Sequence, residues 1–291
     1  MRDQAETLRL KMLKRQGELG KTIAVVSGKG GVGKSNFSMN FAINLASKDK
    51  KVAIVDMDIG MGNINILIGK NVSYSLKDYL EGNKSLDEVI FEGPHGLQCI
   101  AGGSGMSSVL EWSEAMFERL IHAFEQLQKN FDYILFDMGA GATKWSLELL
   151  TSIDEIIVIT TAEPTSITDA YSMMKYIHVR DMDKQFYLLC NRAFSKEEGI
   201  ETIERLKLTM KRFLDKEVIV LGSLPEDPVV RNAVREQVPF SIAYPEALIS
   251  KTLQLIVARF MEQRMEEVHA HEQSASKFLS KLRSIFSKGR D

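Results

Sequence analysis

The sequence predicts an α/β fold in which helices cover both faces of a mostly parallel, twisted sheet. Two observations support this fold class. Short β-branched apolar runs alternate with longer segments of helical spacing along the 291 residues, and such alternation is typical of parallel βα units. Polar clusters directly follow several apolar runs, and ligands bind at the carboxyl ends of parallel strands.

Composition and charge exclude several classes of protein. The net charge is −2, so nothing in the overall charge indicates a nucleic-acid partner. Cys99 and Cys190 both lie inside apolar runs, which favours buried, reduced thiols and a reducing compartment. No apolar run reaches the roughly 18 residues of a membrane span, and the N-terminus does not resemble a signal peptide. The sequence therefore favours a cytoplasmic protein.

The strongest motif is a glycine-rich loop of the pattern G-x-x-x-x-G-K-S, between the apolar run 22–27 and a helical segment at 36–47. Glycines let successive backbone N–H groups approach phosphate oxygens, and the helix N-terminus adds positive charge. A lysine at this place reaches the β- and γ-phosphates, and the serine hydroxyl binds Mg²⁺. The predicted nucleotide-binding residues here are Gly28, Lys29, Gly30, Gly31, Val32, Gly33, Lys34, Ser35 and Asn36.

The other elements follow in order along the chain. Strands are predicted at 22–27, 52–55, 97–101, 133–136, 155–160, 186–190 and 218–221. Helices are predicted at 36–47, 112–129, 144–151, 167–177, 200–214, 228–237 and about 245–269. We expect Thr165 or Ser166 to cap the helix at 167–177, and short helices between residues 67 and 90.

Two aspartates at predicted strand ends complete the candidate site. Asp137 follows the run 133–136, and a carboxylate there can hold the Mg²⁺ of the nucleotide through a water. Asp58 lies just after the strand at 52–55 and is the candidate for orienting the attacking water. The alternative for Asp58 is a turn-forming or helix-capping aspartate.

The loop resembles the deviant Walker A loop of the MinD/ParA ATPases, because Lys29 matches the extra lysine of that family. The blocks Asp56-x-Asp58-Ile59-Gly60-x-x-Asn63 and Asp137-x-x-Ala140-Gly141 resemble the family too, over about residues 20–265. The resemblance implies a SIMIBI-type P-loop NTPase fold and a Mg²⁺-dependent ATPase. It also implies a homodimer that sandwiches two ATP molecules.

Further site residues come only from this resemblance. It implies that Lys29 reaches phosphates bound by the other subunit, as a catalytic residue beside Lys34 and Asp58. It also implies adenine contacts from two segments of the chain. The adenine contacts are Asn191 and the loop of Pro225, Glu226 and Asp227, and Arg192 is a further nucleotide-binding residue.

The N-terminal residues Asp3-Gln4-Ala5-Glu6-Thr7-Leu8-Arg9 resemble the D-Q-A-x-x-L-R element of the FlhG (FleN, YlxH) branch, which sets flagellar number and placement. The segment 163–171 resembles the same branch. The resemblance implies that an arm at 1–20 stimulates the GTPase of an FlhF-like, signal-recognition-type partner. Flagellar switch or C-ring components are further partners. The residues concerned are Asp3, Gln4, Leu8 and Arg9, and the alternative is a solvated helix face.

A basic amphipathic helix is predicted at 277–290, after a linker at 269–276 and an ATPase domain at 21–268. Its apolar residues fall on one helical face: Phe278, Leu279, Leu282, Ile285 and Phe286. Such a helix binds an anionic membrane surface and is too short to span the membrane. We therefore expect peripheral binding to the inner face of the cell membrane in the ATP state. The alternative is a helix packed on the protein's own surface.

Four other functions compete with the flagellar one. A MinD-type division-site regulator would begin close to its first strand, unlike this chain. A ParA-type DNA-partitioning ATPase would need a basic DNA-binding surface, whereas the basic residues concentrate in the tail. A nitrogenase-like reductase would need cysteines that bridge a cluster, and Cys99 and Cys190 are predicted inside strands. A nucleotide-gated scaffold without turnover is the fourth. No specific nucleic acid is expected as a partner.

Overall fold

The computed structural model describes residues 19–59, 62–103, 112–139, 144–270 and 278–287, and an eight-stranded sheet forms its centre. The strands are β1 (Lys21–Val26), β2 (Val52–Asp56), β3 (Ile90–Glu92), β4 (Gln98–Ile100), β5 (Tyr133–Asp137), β6 (Glu155–Thr160), β7 (Gln185–Ala193) and β8 (Ile219–Pro225). Their order across the sheet is β3-β4-β2-β5-β1-β6-β7-β8. β3 pairs antiparallel with β4, and the other pairs are parallel.

Twelve helices are numbered here along the described residues. They are α1 (Lys34–Ala46), α2 (Ile64–Leu67), α3 (Leu76–Glu81), α4 (Leu86–Val89), α5 (Glu114–Asn130), α6 (Lys144–Ser152), α7 (Pro164–Arg180), α8 (Lys196–Leu214), α9 (Pro228–Glu236), α10 (Phe240–Ala243), α11 (Leu248–Ala270) and α12 (Phe278–Ser287). A 3₁₀ turn at Pro94–Gly96 precedes β4.

The central strand β1 is buried on both faces, as expected of a parallel strand between helix layers. Ile23 and Val25 pack into the core that contains α1 and α11. Ala24 and Val26 pack into the opposite core, which contains α5, α6 and α7. The predicted α/β class, with helices on both faces of the sheet, is confirmed. The neighbouring strands β2, β5 and β1 end side by side, so their carboxyl ends lie together.

One local element was missed, and one local prediction was wrong. Residues 67–90 contain the expected short helices, but the edge strand β3 that follows them was not predicted. Helix α7 begins at Pro164 with Glu163 in the N-cap position, not after a cap at Thr165 or Ser166. The reason is that the Ser166 hydroxyl accepts a hydrogen bond from the backbone N–H of Thr161 (3.0 Å), which ties the first turn of the helix back to the end of β6.

Helix α12 docks on the protein through part of the face predicted to bind a membrane. Phe278, Leu279 and Leu282 are buried in the core beneath α5 and α6. The ring of Phe278 lies 5.6 Å from that of Phe124 and 6.0 Å from that of Phe136, between centroids. The structure therefore has the tail packed on its own ATPase domain, which was the alternative expectation.

Two ion pairs flank this docked helix. The Nζ atom of Lys281 lies 2.5 Å from Oδ2 of Asp181, at the end of α7. Arg283 forms a close ion pair with Glu125 of α5. The side chains of Ile285 and Phe286, the first part of the arm at 1–20, and most of the linker at 269–276 lie outside the described residues.

In the described parts of the chain, no helix is both long and apolar enough to cross a membrane.

Candidate functional site

The glycine-rich loop connects β1 to α1, and neighbouring residues approach it closely at two of its glycines. Gly33 adopts a left-handed conformation (φ 89°), and a Cβ atom there would lie 2.5 Å from Nδ2 of Asn191. A Cβ atom on Gly28 would lie 2.2 Å from the backbone of Asp169 in α7. Glycine is therefore required at both positions, once for its backbone angle and twice for space.

Asn191, at the end of β7, supports this loop. Its Nδ2 atom donates a 2.7 Å hydrogen bond to the carbonyl oxygen of Val32. The side chain is also part of the wall of the neighbouring cavity described below. Asn191 thus lies where an adenine contact was expected, but its amide N–H holds the loop.

Lys34 and Asp137 meet below the loop. The Nζ atom of Lys34 lies 3.4 Å from Oδ1 of Asp137, and the two side chains are almost fully buried. The hydroxyl of Ser38, one turn further along α1, donates a 3.0 Å hydrogen bond to the same Oδ1 atom. Ser38 was not predicted, although it is four residues from Lys34 and so on the same side of the helix.

Asp56 lies opposite Asp137 in the register of β2 and β5, and it is 1% exposed. Its carboxylate accepts hydrogen bonds from the backbone N–H groups of Asp58 (3.0 Å) and Asn63 (2.8 Å). Burial, reinforced by the charge of Asp137, raises the pKa of Asp56 from 3.8 to about 7 against the effect of these donors. Asp56 therefore holds the loop after β2, a role that the sequence did not indicate.

Asp58 is half-exposed on that loop. A Cβ atom on Gly139, two residues after Asp137, would lie 3.4 Å from Cγ of Asp58. The Asp58 carboxylate thus borders the segment that follows the predicted metal ligand. The role of Asp58 with water stays a prediction, as does the alternative of a local turn.

Lys29 extends away from the loop toward α7. Its Nζ atom lies 2.6 Å from Oε2 of Glu163 and 3.5 Å from Oγ1 of Thr165. Its side chain is 44% exposed. In this single chain, the Lys29 side chain is accessible and points toward the start of α7. The other lysine of the loop, Lys34, points toward Asp137 instead.

A cavity of about 300 Å³ opens beside the loop. Every predicted adenine-contacting residue lines it, together with Gly31, Gly33 and Asn36 of the loop and first helix. Its walls also include residues that the sequence did not single out: Phe37, Leu224, Val230, Arg231, Phe240 and Ile249. An apolar cavity with a few polar groups is the usual form of a base-binding site.

Charged residues close one side of this cavity. Arg192 has a left-handed backbone (φ 60°), and its Nε atom lies 2.8 Å from Oε2 of Glu226. Arg231 lies 3.4 Å from the other oxygen of Glu226. Partial burial acts to raise the pKa of Glu226, but Arg192 and Arg231 hold the pKa below its ordinary value. The sequence did not single out Arg231.

The residues present fit Mg²⁺ bound together with phosphates. Ser35 and Asp137 supply a hydroxyl and a carboxylate, the hard oxygen ligands that Mg²⁺ prefers. Among the residues that the structure describes, no group of three or more His, Cys, Asp or Glu side chains could hold a metal by itself. Any Mg²⁺ here must therefore take most of its ligands from nucleotide and water.

The fold and this site define a P-loop nucleotide-binding protein. A family model described as "ParA: NUBPL iron-transfer P-loop NTPase" matches residues 18–261. The chain belongs to this ParA family of P-loop NTPases.

Relatives and solved structures agree with this assignment. The chain is 33% identical over 239 residues to the antiactivator FleN of Pseudomonas aeruginosa (82% of this chain, 85% of FleN). It is 34% identical over 239 residues to the flagellum site-determining protein YlxH of Helicobacter pylori (81% of this chain, 80% of YlxH). The fold matches that of Pyrococcus horikoshii MinD in complex with Mg-ADP, with a TM-score of 0.70 at 24% identity (84% of this chain, 98% of that chain). The expected resemblance to MinD/ParA proteins and their flagellar branch is confirmed.

Proposed function

We propose that this protein is an ATP-dependent dimerising switch that hydrolyses ATP to ADP and phosphate and regulates flagellar number and placement. One observation carries the proposal. The glycine-rich loop, Lys34, Asp137 and the apolar cavity meet at one edge of the sheet, so a triphosphate and its base can be bound side by side.

The chain's own residues account for binding and hydrolysis. Backbone N–H groups of the loop and the N-terminus of α1 bind phosphate oxygens. Lys34 leaves Asp137 for the β- and γ-phosphates. Asp58 accepts a hydrogen bond from the attacking water and orients it toward the γ-phosphate.

Ser35 and Asp137, the latter through a water, would hold Mg²⁺ in this site. Bound there, the ion supplies positive charge that neutralises the developing charge on the phosphates. The Mg-ADP named for the MinD structure of similar fold supports this assignment.

A second copy of the chain would complete the site. Lys29 is accessible, and among the described residues of the single chain its side chain contacts Glu163 and Thr165 at the start of α7. A lysine carried to the phosphates of a facing subunit would stabilise negative charge in the transition state, as an arginine finger does. This arrangement makes hydrolysis depend on dimerisation.

The relatives FleN and YlxH support a flagellar role, since one is an antiactivator and the other a flagellum site-determining protein. In this proposal the arm at 1–20 activates an FlhF-like GTPase through Gln4 and Arg9. Flagellar switch or C-ring components are further partners. Division-site regulation of MinD type and DNA partitioning of ParA type remain the alternatives.

Membrane binding would require α12 to leave its docking site, because its docked residues are the ones that would enter the lipid. Two weakly binding helices in one dimer gain avidity, so dimerisation would favour the membrane-bound state. Helix α6 follows the Asp137 loop in sequence and packs against α12. This contact supports a link between nucleotide binding and release of the tail.

Three measurements on the purified full chain test the proposal. They are the rate of phosphate release, the oligomeric state with ATP or ADP, and binding to anionic vesicles or plain DNA. We expect Mg²⁺-dependent phosphate release and an ATP-specific dimer that binds vesicles and not DNA. Lys34→Ala should remove phosphate release and dimer formation. A wild-type protein that stays monomeric with ATP would contradict the switch, and ATP-dependent DNA binding would favour the partitioning alternative.

A further inference from the structure

The ion pair between Lys29 and Glu163 joins the phosphate loop to the first residue before α7. The two charged atoms are 2.6 Å apart, and both side chains are substantially exposed, at 44% and 58%. The hydrogen bond from Lys29 and then its charge lower the pKa of Glu163, and Arg192 contributes in the same direction. The carboxylate is therefore held in its ionised form.

Glu163 does not serve the usual purpose of a residue in its position. It occupies the N-cap of α7, yet its side chain accepts no capping hydrogen bond from that helix. An N-cap side chain typically stabilises its helix by accepting a hydrogen bond from a backbone N–H of the first turn. Here the carboxylate contacts Lys29 instead, so local helix stability does not explain it.

The backbones on both sides of this ion pair are fixed with respect to each other. The Ser27 hydroxyl donates a 2.8 Å hydrogen bond to the carbonyl oxygen of Lys29. Gly28 approaches Asp169 so closely that a Cβ atom would overlap it. Lys29 can therefore change partners only by moving its side chain away from Glu163 and Thr165.

We propose that Glu163 is a positioning residue that holds Lys29 within its own subunit until a second copy of the chain brings phosphates to replace the carboxylate. This inference rests on the proposed ATP-dependent dimer. Phosphate groups carry more negative charge than one carboxylate, so they can displace it. Each dimer breaks two such ion pairs, and this cost opposes dimerisation.

The test compares the double variant Glu163→Gln, Asp58→Ala with the single variant Asp58→Ala. Both carry Asp58→Ala so that bound ATP is not hydrolysed during the measurement. The measured quantity is the dissociation constant of the dimer with ATP and Mg²⁺. An exposed ion pair of this kind changes an equilibrium by about two- to fivefold. With two pairs per dimer, we expect Glu163→Gln to tighten the dimer by about tenfold at low salt and much less at 0.5 M salt, where screening weakens the pair.

Glu246→Gln is the matched control, because it breaks another exposed ion pair, with Lys251 (2.8 Å), outside the nucleotide site. It should leave the dimer constant unchanged at every salt concentration. A merely structural effect of Glu163→Gln would not vanish at high salt.

A second measurement uses the nucleotide-free monomer. Amine-selective labelling, followed by mass spectrometry, should modify Lys29 several times faster in Glu163→Gln than in the wild type, with Lys251 unchanged. If the wild type does not dimerise with ATP, the proposed function fails, and the labelling still decides whether Glu163 holds Lys29. An unchanged dimer constant in a dimerising protein, or an unchanged labelling rate, overturns the inference.

Discussion

Phe136 contacts Phe278 of the C-terminal helix, with 6.0 Å between ring centroids, and the residue after Phe136 is the predicted metal ligand Asp137. The docked tail and the nucleotide site thus share one strand, β5. A change in the position of Asp137 on nucleotide binding would reach the tail through a single peptide unit.

The ion pairs beside α12 provide a test of tail release. The double variant Asp181→Asn, Glu125→Gln removes the partners of Lys281 and Arg283 but leaves the helix sequence intact. Each pair joins a partly exposed cation to a mostly buried carboxylate and contributes about 1 kcal/mol, so binding to anionic vesicles without ATP should increase by about five- to tenfold. Co-sedimentation measures it. Equal binding of variant and wild type would show that docking does not limit membrane contact.

The docked tail should also stabilise the fold. Phe278→Ala removes a fully buried ring, and such changes cost about 3–5 kcal/mol. Chemical denaturation should show this loss as a lower midpoint. Phe194→Ala is the control, because Phe194 is 82% exposed, and its change should stay within about 0.5 kcal/mol. Similar midpoints for the two variants would mean that the tail is undocked in solution.

Asp58→Ala should separate ATP binding from hydrolysis. Loss of a group that orients water lowers phosphate release by at least about 100-fold. ATP affinity should stay nearly constant, because Asp58 borders the loop after β5 and does not line the base cavity. Asp183→Ala, on an exposed residue, is the control. Full hydrolysis by Asp58→Ala would assign the water to another residue.

Asn191→Ala should weaken ATP binding by destabilising the phosphate loop. The carbonyl oxygen of Val32 would lose its 2.7 Å hydrogen bond, and an unsatisfied buried acceptor costs about 1–3 kcal/mol. We expect about tenfold weaker ATP binding by calorimetry, with no loss for the exposed control Asn83→Ala. If Asn191→Ala instead kept its affinity for ATP but no longer preferred ATP over GTP, Asn191 would contact adenine directly.

The raised pKa of Asp56 predicts that the stability of the fold depends on pH. Its pKa is raised in the folded state to about 7, so the folded protein binds the proton more tightly than the unfolded chain does. Its contribution is complete below about pH 4 and is lost as the pH rises to about 7, with a slope of up to about 1.4 kcal/mol per pH unit. Denaturation in EDTA should show a smaller decrease between pH 5 and 7.5 for Asp56→Asn than for wild type. Asp49→Asn, on an exposed residue, should behave like the wild type.

Local patterns predicted those parts of the protein that depend on local chemistry. The loop motif identified Lys34 and Ser35, and the strand-end rule brought Asp137 and Asp58 to the same edge. The strand β3 was missed, because three residues carry no period of their own and depend on β4 for pairing. Phe37 and Phe240 of the cavity wall come from distant parts of the chain, and as apolar residues they do not differ from ordinary core residues in sequence.

The tail marks the limit of what periodicity can decide. Phe278, Leu279 and Leu282 share a helical face that suits either a lipid surface or a protein core. The spacing predicted the helix, and only the packing against Phe124 identifies its partner in the single chain. Likewise, the sequence marks Glu163 only as part of the segment 163–171 that resembles the flagellar branch, and its contact with Lys29 depends on tertiary structure.

The burial of Phe278 has a practical consequence for truncated proteins. Cutting the chain before residue 278 would leave Phe124 and Phe136 open to solvent, because these rings now lie under the tail. A shortened protein would expose an aromatic surface and could self-associate through it. In size-exclusion chromatography this self-association would look like ATP-dependent dimerisation. Substitutions on the charged side of the helix keep that surface covered, and are the sounder way to study what the tail does.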